Sequence, residues 1–430
     1  MSGLARYSIM ENKRVSGSDE VNGEYFERVL KMGGKVYVGE RPFCARKADA
    51  VIVSSAINEE NKEIKKCVKL GVPIYKRSEM LGGIISEFEN SVAVSGSHGK
   101  TTTTAMIASI MREASLSPTV FCGGDDLSFG NFLYGDKKYV VTEACEYNKN
   151  LLDLKAKISV VLNIDNDHLD SYCDMNDMIE TFKTFSSDSI TVYNADDHNA
   201  SLIANSSSVS YGVKKIANYL AEGVKKTPDG YSFSLRVYGR KIGRIALKVA
   251  GKHNVYNALA AIAVCDVLGV NFSTIKSALE SFKGVKRRNE FIGEVGGCKF
   301  YADYAHHPRE ITATIKTFLE DREKFFTVFQ PHTYSRTKLL MNDFVSVLKG
   351  VENLILFRTY AAREKYDQQG DALALYKRLL EEGKTDVALV NSSQNLIVEL
   401  KKRIKDYQKC LVLGAGDIYN TVTDCLHNRL

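Results

Sequence analysis

The chain has 430 residues, 44% of them hydrophobic and 26% charged, and a formal net charge of +6. That is the composition of an ordinary globular protein of about three domains, and its scattered Lys and Arg give nucleic-acid binding no support. Nine cysteines occur singly, without a C-x-x-C pair, which argues against a disulfide framework or zinc site and fits a reducing cytoplasm.

No stretch approaches a membrane span, and Met1 to Arg14 lacks the apolar core of a signal peptide. Strands and helices alternate along the chain, which predicts an α/β protein with largely parallel sheets. Strand-like runs at 35–39, 50–54 and 72–75, with a helix over 60–70, define a first domain over 1–89. A second, over 90–290, opens on the apolar run from Ser91 and carries strands at 139–142, 158–162 and 190–193. It continues through a β-rich polar stretch at 206–250, with turn signals at Pro228-Asp-Gly230 and Tyr238-Gly239, and then a helix from Asn254 to Leu268. A third, over 291–430, has strands at 299–302, 325–329, 354–357 and 409–413.

The chemistry-bearing residues follow strands, where open α/β sheets bind ligands. The first such loop is Gly96-Ser97-His98-Gly99-Lys100-Thr101-Thr102, between an apolar strand and a helix running to Ala114. Backbone N–H groups, a helix N-terminus and an ammonium converge there, as in sites that hold nucleotide phosphates. The glycines are closer together than in the general phosphate-loop pattern, and Val94 stands where the first would fall. The Thr101 hydroxyl is the expected first Mg²⁺ ligand, and Glu143, after the strand 139–142, can face the phosphates through Mg²⁺. The loop Asn163-Ile-Asp165-Asn-Asp167-His168-Leu-Asp170 is rich in hard ligands; His168 reads as a metal ligand or as a loop or helix-cap histidine.

His253 and Asn257, four apart at a helix start, share a face and suit either reading a base edge or capping and surface polarity. In the third domain, Asp303-Tyr304-Ala-His306-His307-Pro308, Gln330-Pro-His332-Thr-Tyr334-Ser-Arg336-Thr337, Tyr360-Ala-Ala-Arg363-Glu364 and Gly414-Ala-Gly416-Asp417 all follow strands. Four polar or Gly-rich strand ends in one domain point to substrate or nucleotide contacts.

These motifs, with Glu143-Ala-Cys-Glu146 and His253-Asn-Val-Tyr-Asn257-Ala, occur in an order that resembles the Mur ligases from Met1 to about Asp417. The histidine pair, the Gln330–Thr337 loop and the Gly414–Asp417 ending favour the alanine-adding branch. Met1–Ala5, Val15–Asp19 and Ser54–Ile57 resemble its UDP-binding domain. The resemblance implies three domains: an incomplete Rossmann-like UDP-binding domain, a central P-loop-type ATPase domain and a Rossmann-like C-terminal domain that closes over both. It implies ATP and Mg²⁺ as cofactors, UDP-N-acetylmuramate and L-alanine as substrates, and neither nucleic acid nor membrane as partner. The implied reaction is ATP-dependent ligation through an acyl phosphate, in peptidoglycan precursor synthesis.

Carried over by motif, Lys100 neutralises charge on the β and γ phosphates and Thr101 holds one Mg²⁺. Glu143 and His168 hold a second, Asn257 and His253 read adenine, and Arg288 and Asp303 meet ribose and phosphates. His332, Arg336 and Tyr360 lie where amino acid and sugar meet. No residue is marked as general base for the alanine amine. Asn289 stands where the family has an aromatic residue, and Ala302 replaces a frequent Asp. The family also opens with a strand and a Gly-rich turn before its Met-Ser-Gly, so both are expected in frame upstream of Met1. Two alternatives share most of these motifs: a sister ligase that adds a preformed peptide, and a nucleotide- or UDP-sugar-binding relative without catalysis.

Overall fold

The computed structural model describes residues 1–165, 171–319, 323–362 and 364–428. Two compact units make up the chain: Met1–Val249 with His253–Lys283, and Ala250–Lys252 with Gly284–Leu430. No helix among the described residues is long and apolar enough to cross a membrane.

The first unit opens with four short strands, β1 (Ser16–Asp19), β2 (Lys35–Val38), β3 (Val51–Val53) and β4 (Ile74–Lys76). They form two separate parallel pairs, β1 with β2 and β3 with β4. The flanking helices Ser2–Met10 and Arg77–Ser86 bury Leu4, Tyr7, Leu81 and Ile85 in one core with Phe121, Phe132 and Val140 from further along the chain. That shared core is why residues 1–89 do not separate from the rest of this unit. Arg28 adds a bidentate grip on Asp125, at 2.6 and 3.1 Å.

A ten-stranded sheet forms the body of this unit. Its strands are β5 (Asn90–Ser95), β6 (Thr119–Asp126), β7 (Gly130–Leu133), β8 (Tyr139–Glu143), β9 (Ile158–Val161), β10 (Ile190–Asn194), β11 (Ser208–Gly212), β12 (Tyr219–Thr227), β13 (Gly230–Val237) and β14 (Arg240–Leu247). Their order is β14-β13-β12-β11-β10-β9-β5-β8-β6-β7. β9, β5 and β8 are parallel neighbours, almost wholly buried and apolar at 160–161, 92–94 and 139–141, as strands covered on both faces are. The polar stretch resolves into β11–β14 on one edge. Tyr238 and Gly239, at φ +46° and +78°, turn β13 into β14 as a two-residue hairpin loop requires. The β6–β7 hairpin on the other edge had no legible pattern, because β6 ends in Gly123-Gly124-Asp-Asp126.

The second unit holds a six-stranded sheet of β15 (Glu290–Val295), β16 (Cys298–Asp303), β17 (Phe325–Phe329), β18 (Leu354–Phe357), β19 (Val387–Val390) and β20 (Lys409–Leu413). The order is β15-β16-β20-β17-β18-β19, parallel except for β15. The carboxyl ends of β16, β20, β17 and β18 are therefore adjacent, and the four polar strand-end loops gather along one edge.

Candidate active site

Three neighbouring strand ends in the first unit converge on one loop. Residues 96–99 connect β5 to the helix Lys100–Glu113, with Gly96 at φ +132° and Gly99 at φ +89°. Only glycine fits at Gly99: a Cβ there would lie 2.6 Å from Asn257 Oδ1. From the end of β9, the Asn163 side chain brackets the loop. Its Oδ1 accepts from the His98 N–H at 2.8 Å and its Nδ2 donates to the His98 carbonyl at 3.0 Å. Ser97 N–H donates to the Asn163 carbonyl, and Ser97 Oγ accepts from Asp165 N–H at 2.9 Å. The loop is thus stapled by the chain's own hydrogen bonds.

Lys100 folds back onto this loop. Its Nζ donates to the Gly96 carbonyl at 2.6 Å, the Ser97 carbonyl at 3.3 Å and the Glu146 carboxylate at 2.9 Å. Burial opposes the charged ammonium, but Glu146 above all outweighs it, and the Lys100 pKa is raised. Thr101 is buried on the first helical turn and Thr102 half-buried beside it. Glu143, at the end of β8, accepts from the Gly123 N–H of β6 at 2.5 Å, and Cys122 Sγ lies 3.6 Å from both Glu143 Oε1 and the Thr101 carbonyl. Hydroxyl and carboxylate oxygens are the donors Mg²⁺ prefers, so this edge suits the metal. His168, with Asp167 and Asp170, lies outside the described residues.

Asn257 is buried, 5% exposed, and donates to Asn254 Oδ1 at 2.9 Å behind the loop 96–99. His253, opening the same helix, is exposed. The two expected base-reading side chains therefore differ in access. Ser54, Ser55 and Ile57 line a cavity of about 900 Å³ with Lys76, Asn148 and Asn150.

In the second unit Asp303 is buried and holds two loops together. Its carboxylate accepts from the N–H groups of Asn289 and Ala305, both at 2.9 Å. Burial pushes its pKa up. Asn289 sits at φ +49°, a left-handed position that Asn tolerates better than an aromatic residue does. Arg288 is exposed and lies over the Tyr304 ring at 5.4 Å, while its neighbour Arg287 donates to the Gly414 and Gly416 carbonyls at 2.6 and 3.1 Å.

Beside them, His306 packs edge-on against His332 at 5.4 Å, and His332 stacks on Tyr360 at 5.5 Å. Arg336 Nη1 donates to His332 Nδ1 at 3.0 Å. A guanidinium only donates, so Nδ1 is unprotonated and the neutral ring carries its proton on Nε2. Burial, then His306 and Arg336, lower the His332 pKa to about 4. His306 is the opposite tautomer, since its Nδ1 faces the Tyr304 carbonyl at 2.9 Å and Glu310 at 3.3 Å. Arg363 lies outside the described residues.

Glu146 and Gln330 entered the sequence reading only as members of motifs, without a role, and Glu310 did not enter it. Gln330 is fully buried and ties Asp417 and the Ile418 N–H to the end of β17. Glu310 accepts from the N–H groups of His306 and His307, and its place in the first turn of a helix opened by Pro308 was the available signal.

A glycine-shaped loop between a strand and a helix N-terminus, with a lysine and a strand-end carboxylate beside it, is the arrangement by which α/β proteins hold phosphate groups. Residues 1–89 match the Mur ligase family catalytic domain, 94–265 the Mur ligase middle domain and 287–416 the Mur ligase glutamate ligase domain. The chain is 37% identical to the UDP-N-acetylmuramate–L-alanine ligase of Caldanaerobacter subterraneus subsp. tengcongensis, over 97% of this chain and 93% of that one. It is also 37% identical to the ligase of the same name from Desulfatibacillum aliphaticivorans, over 100% and 96%. The crystal structure of UDP-N-acetylmuramate-alanine ligase MurC from Thermotoga maritima superposes with a TM-score of 0.83 at 29% identity, over 100% of this chain and 96% of that one. The chain belongs to the Mur ligase family.

Proposed function

We propose that this protein joins L-alanine to the lactyl carboxylate of UDP-N-acetylmuramate at the expense of ATP, in peptidoglycan precursor synthesis. The observation that carries the reading is the stapled loop 96–99 with Lys100 and Glu143 at adjacent strand ends. A carboxylate is a poor electrophile, and ATP supplies the phosphoryl group that makes it an acyl phosphate with a leaving group. The alanine amine then displaces phosphate, and the protein contributes positioning and charge neutralisation.

In this reading Gly96, Ser97, His98 and Gly99 offer the loop's backbone, and Lys100 and Thr102 face the nucleotide phosphates. Thr101 and Glu143 supply oxygen donors to Mg²⁺, joined by His168 in the family pattern. His253 and Asn257 serve adenine, and Arg288 and Asp303 the ribose and phosphates. The cavity at Ser54 and Ser55 suits the UDP-sugar. Arg336 is a fixed cation for the amino acid's carboxylate, and neutral His332 offers an Nε2–H donor beside it.

Phosphate release from ATP, measured with each co-substrate alone and together, tests the reading. Release is expected only with UDP-N-acetylmuramate and L-alanine together, with D-alanine and L-glutamate poor. Glycine and L-serine should be partly accepted, because one methyl group supplies only about 1–3 kcal/mol of discrimination. A preformed peptide joined faster than L-alanine would assign the chain to the peptide-adding branch instead.

A further inference from the structure

The ammonium of Lys100 has three N–H groups, and among the described residues three acceptors face it: two loop carbonyls and Glu146. A nucleotide phosphate can reach this cation only if at least one of them is released. The three are not equal. Ser97 O is the longest at 3.3 Å, and a neutral carbonyl is surrendered more cheaply than an anion. Glu146 is only 1% exposed and 2.9 Å from the ammonium, and separating a cation from a buried carboxylate is among the costlier changes in a protein interior. The backbone around Glu146 is held as well, because Tyr172 Oη donates to its carbonyl at 2.6 Å.

We propose that Glu146 is a positioning residue for phosphoryl transfer. It keeps Lys100 tethered to the buried wall while the loop carbonyls are exchanged for phosphate oxygens, so that the ammonium pivots rather than swings free. The tether fixes where the positive charge stands as charge shifts on the transferred group, at the cost of some attraction for the anionic nucleotide in the ground state. This inference rests on reading Lys100 as the phosphate lysine.

Glu146→Ala, Glu146→Gln and Lys100→Ala, assayed side by side in the full chain for kcat and for KM toward ATP, test it. For Glu146→Ala, kcat should fall roughly tenfold to hundredfold through lost preorganisation. KM for ATP should fall about threefold or more, because the site loses one negative charge. Glu146→Gln retains an acceptor for the same N–H, so it should recover part of kcat while KM stays low. A merely structural role would instead raise KM as kcat falls and leave Gln no better than Ala. Should Glu146→Ala not fold, Glu146→Gln carries the same split in kcat and KM. A kcat within threefold of the parent in Glu146→Ala, a kcat equal to the parent's in Glu146→Gln, or a raised KM for ATP in either variant overturns the proposal. Lys100→Ala keeps the two questions apart. If that variant turns over normally, the phosphate-lysine reading fails; if it is inactive while Glu146→Ala behaves as the parent, only the tether fails.

Discussion

The two strand-edge clusters are held by different means. Around Lys100 the backbone does most of the holding: glycines at positive φ, amide brackets from Asn163 and a helix N-terminus set the cradle. Around His332 the side chains hold one another, through stacked rings, an Arg–His hydrogen bond and two histidines in opposite tautomers. A cradle built on backbone has little room for one added atom: at Gly96 a Cβ would meet the Asn163 backbone at 3.0 Å. A side-chain cluster responds by degrees, since each member's charge state depends on its neighbours. Substitutions in the first should act as switches, and those in the second should be graded and sensitive to pH.

The largest effect should come at Lys100. Lys100→Ala is expected to lower ligase turnover by about 10²–10³-fold, the usual loss when one preorganised charge at a phosphoryl centre is removed. Circular dichroism and thermal melts should match the parent. Turnover within threefold of the parent would remove the cradle from the chemistry.

Arg336 provides the contrasting case. Arg336→Ala should raise KM for L-alanine about tenfold to hundredfold, from the ~1.5–3 kcal/mol of a charge-assisted hydrogen bond, with KM for ATP little changed. Arg336→Lys should recover only part of this, because an ammonium lacks the planar fork that meets a carboxylate. An unchanged KM for L-alanine would detach this cluster from amino-acid binding.

Gly99 tests the rigidity of the cradle. An alanine there must adopt φ near +89° and place its Cβ 2.6 Å from Asn257 Oδ1. The backbone alone costs about 1–2 kcal/mol, so Gly99→Ala should melt several degrees lower and bind ATP more weakly. Parental melting and affinity together would show that the loop yields, and the contrast with the His332 cluster would dissolve.

The same contrast explains what the sequence made legible. The loop 96–99 is a local event: strand, glycines, lysine and helix lie within about a dozen residues, so spacing alone exposed its geometry. Glu143 and the third-domain loops were visible as strand ends, because an α/β sheet places its ligands there. The contact of Glu146 with Lys100 was not, since the two are 46 positions apart and an acidic residue in a loop reads as solvated. Asn163, read among hard ligands, spends its amide on the His98 backbone, which only the pairing of β5 with β9 reveals. The exposed His253 and buried Asn257 share a helical face by periodicity, yet the packing of Asn257 against Gly99 belongs to the tertiary fold.

The smallest expected effect concerns pH and tests whether the second cluster is tuned by charge. The His332 pKa falls from its ordinary value of 6.5 to about 4 through burial, reinforced by His306 and Arg336. Between these two values the unfolded chain binds the proton more readily than the folded one, so stability rises with pH across that window. The contribution of a neutral His332 is fully present above pH 6.5 and is lost as the pH falls toward 4. His332→Gln removes the titrating ring, so its melting temperature should drop less than the parent's between pH 7 and pH 5. Arg336→Ala should narrow the window from below, because removing a neighbouring cation lets the imidazole protonate at higher pH. The parent, His332→Gln and Arg336→Ala should therefore show three distinct slopes of melting temperature against pH, steepest for the parent. Identical slopes would mean that His332 titrates as it does in the unfolded chain, and the cluster would then be no more charge-tuned than the cradle.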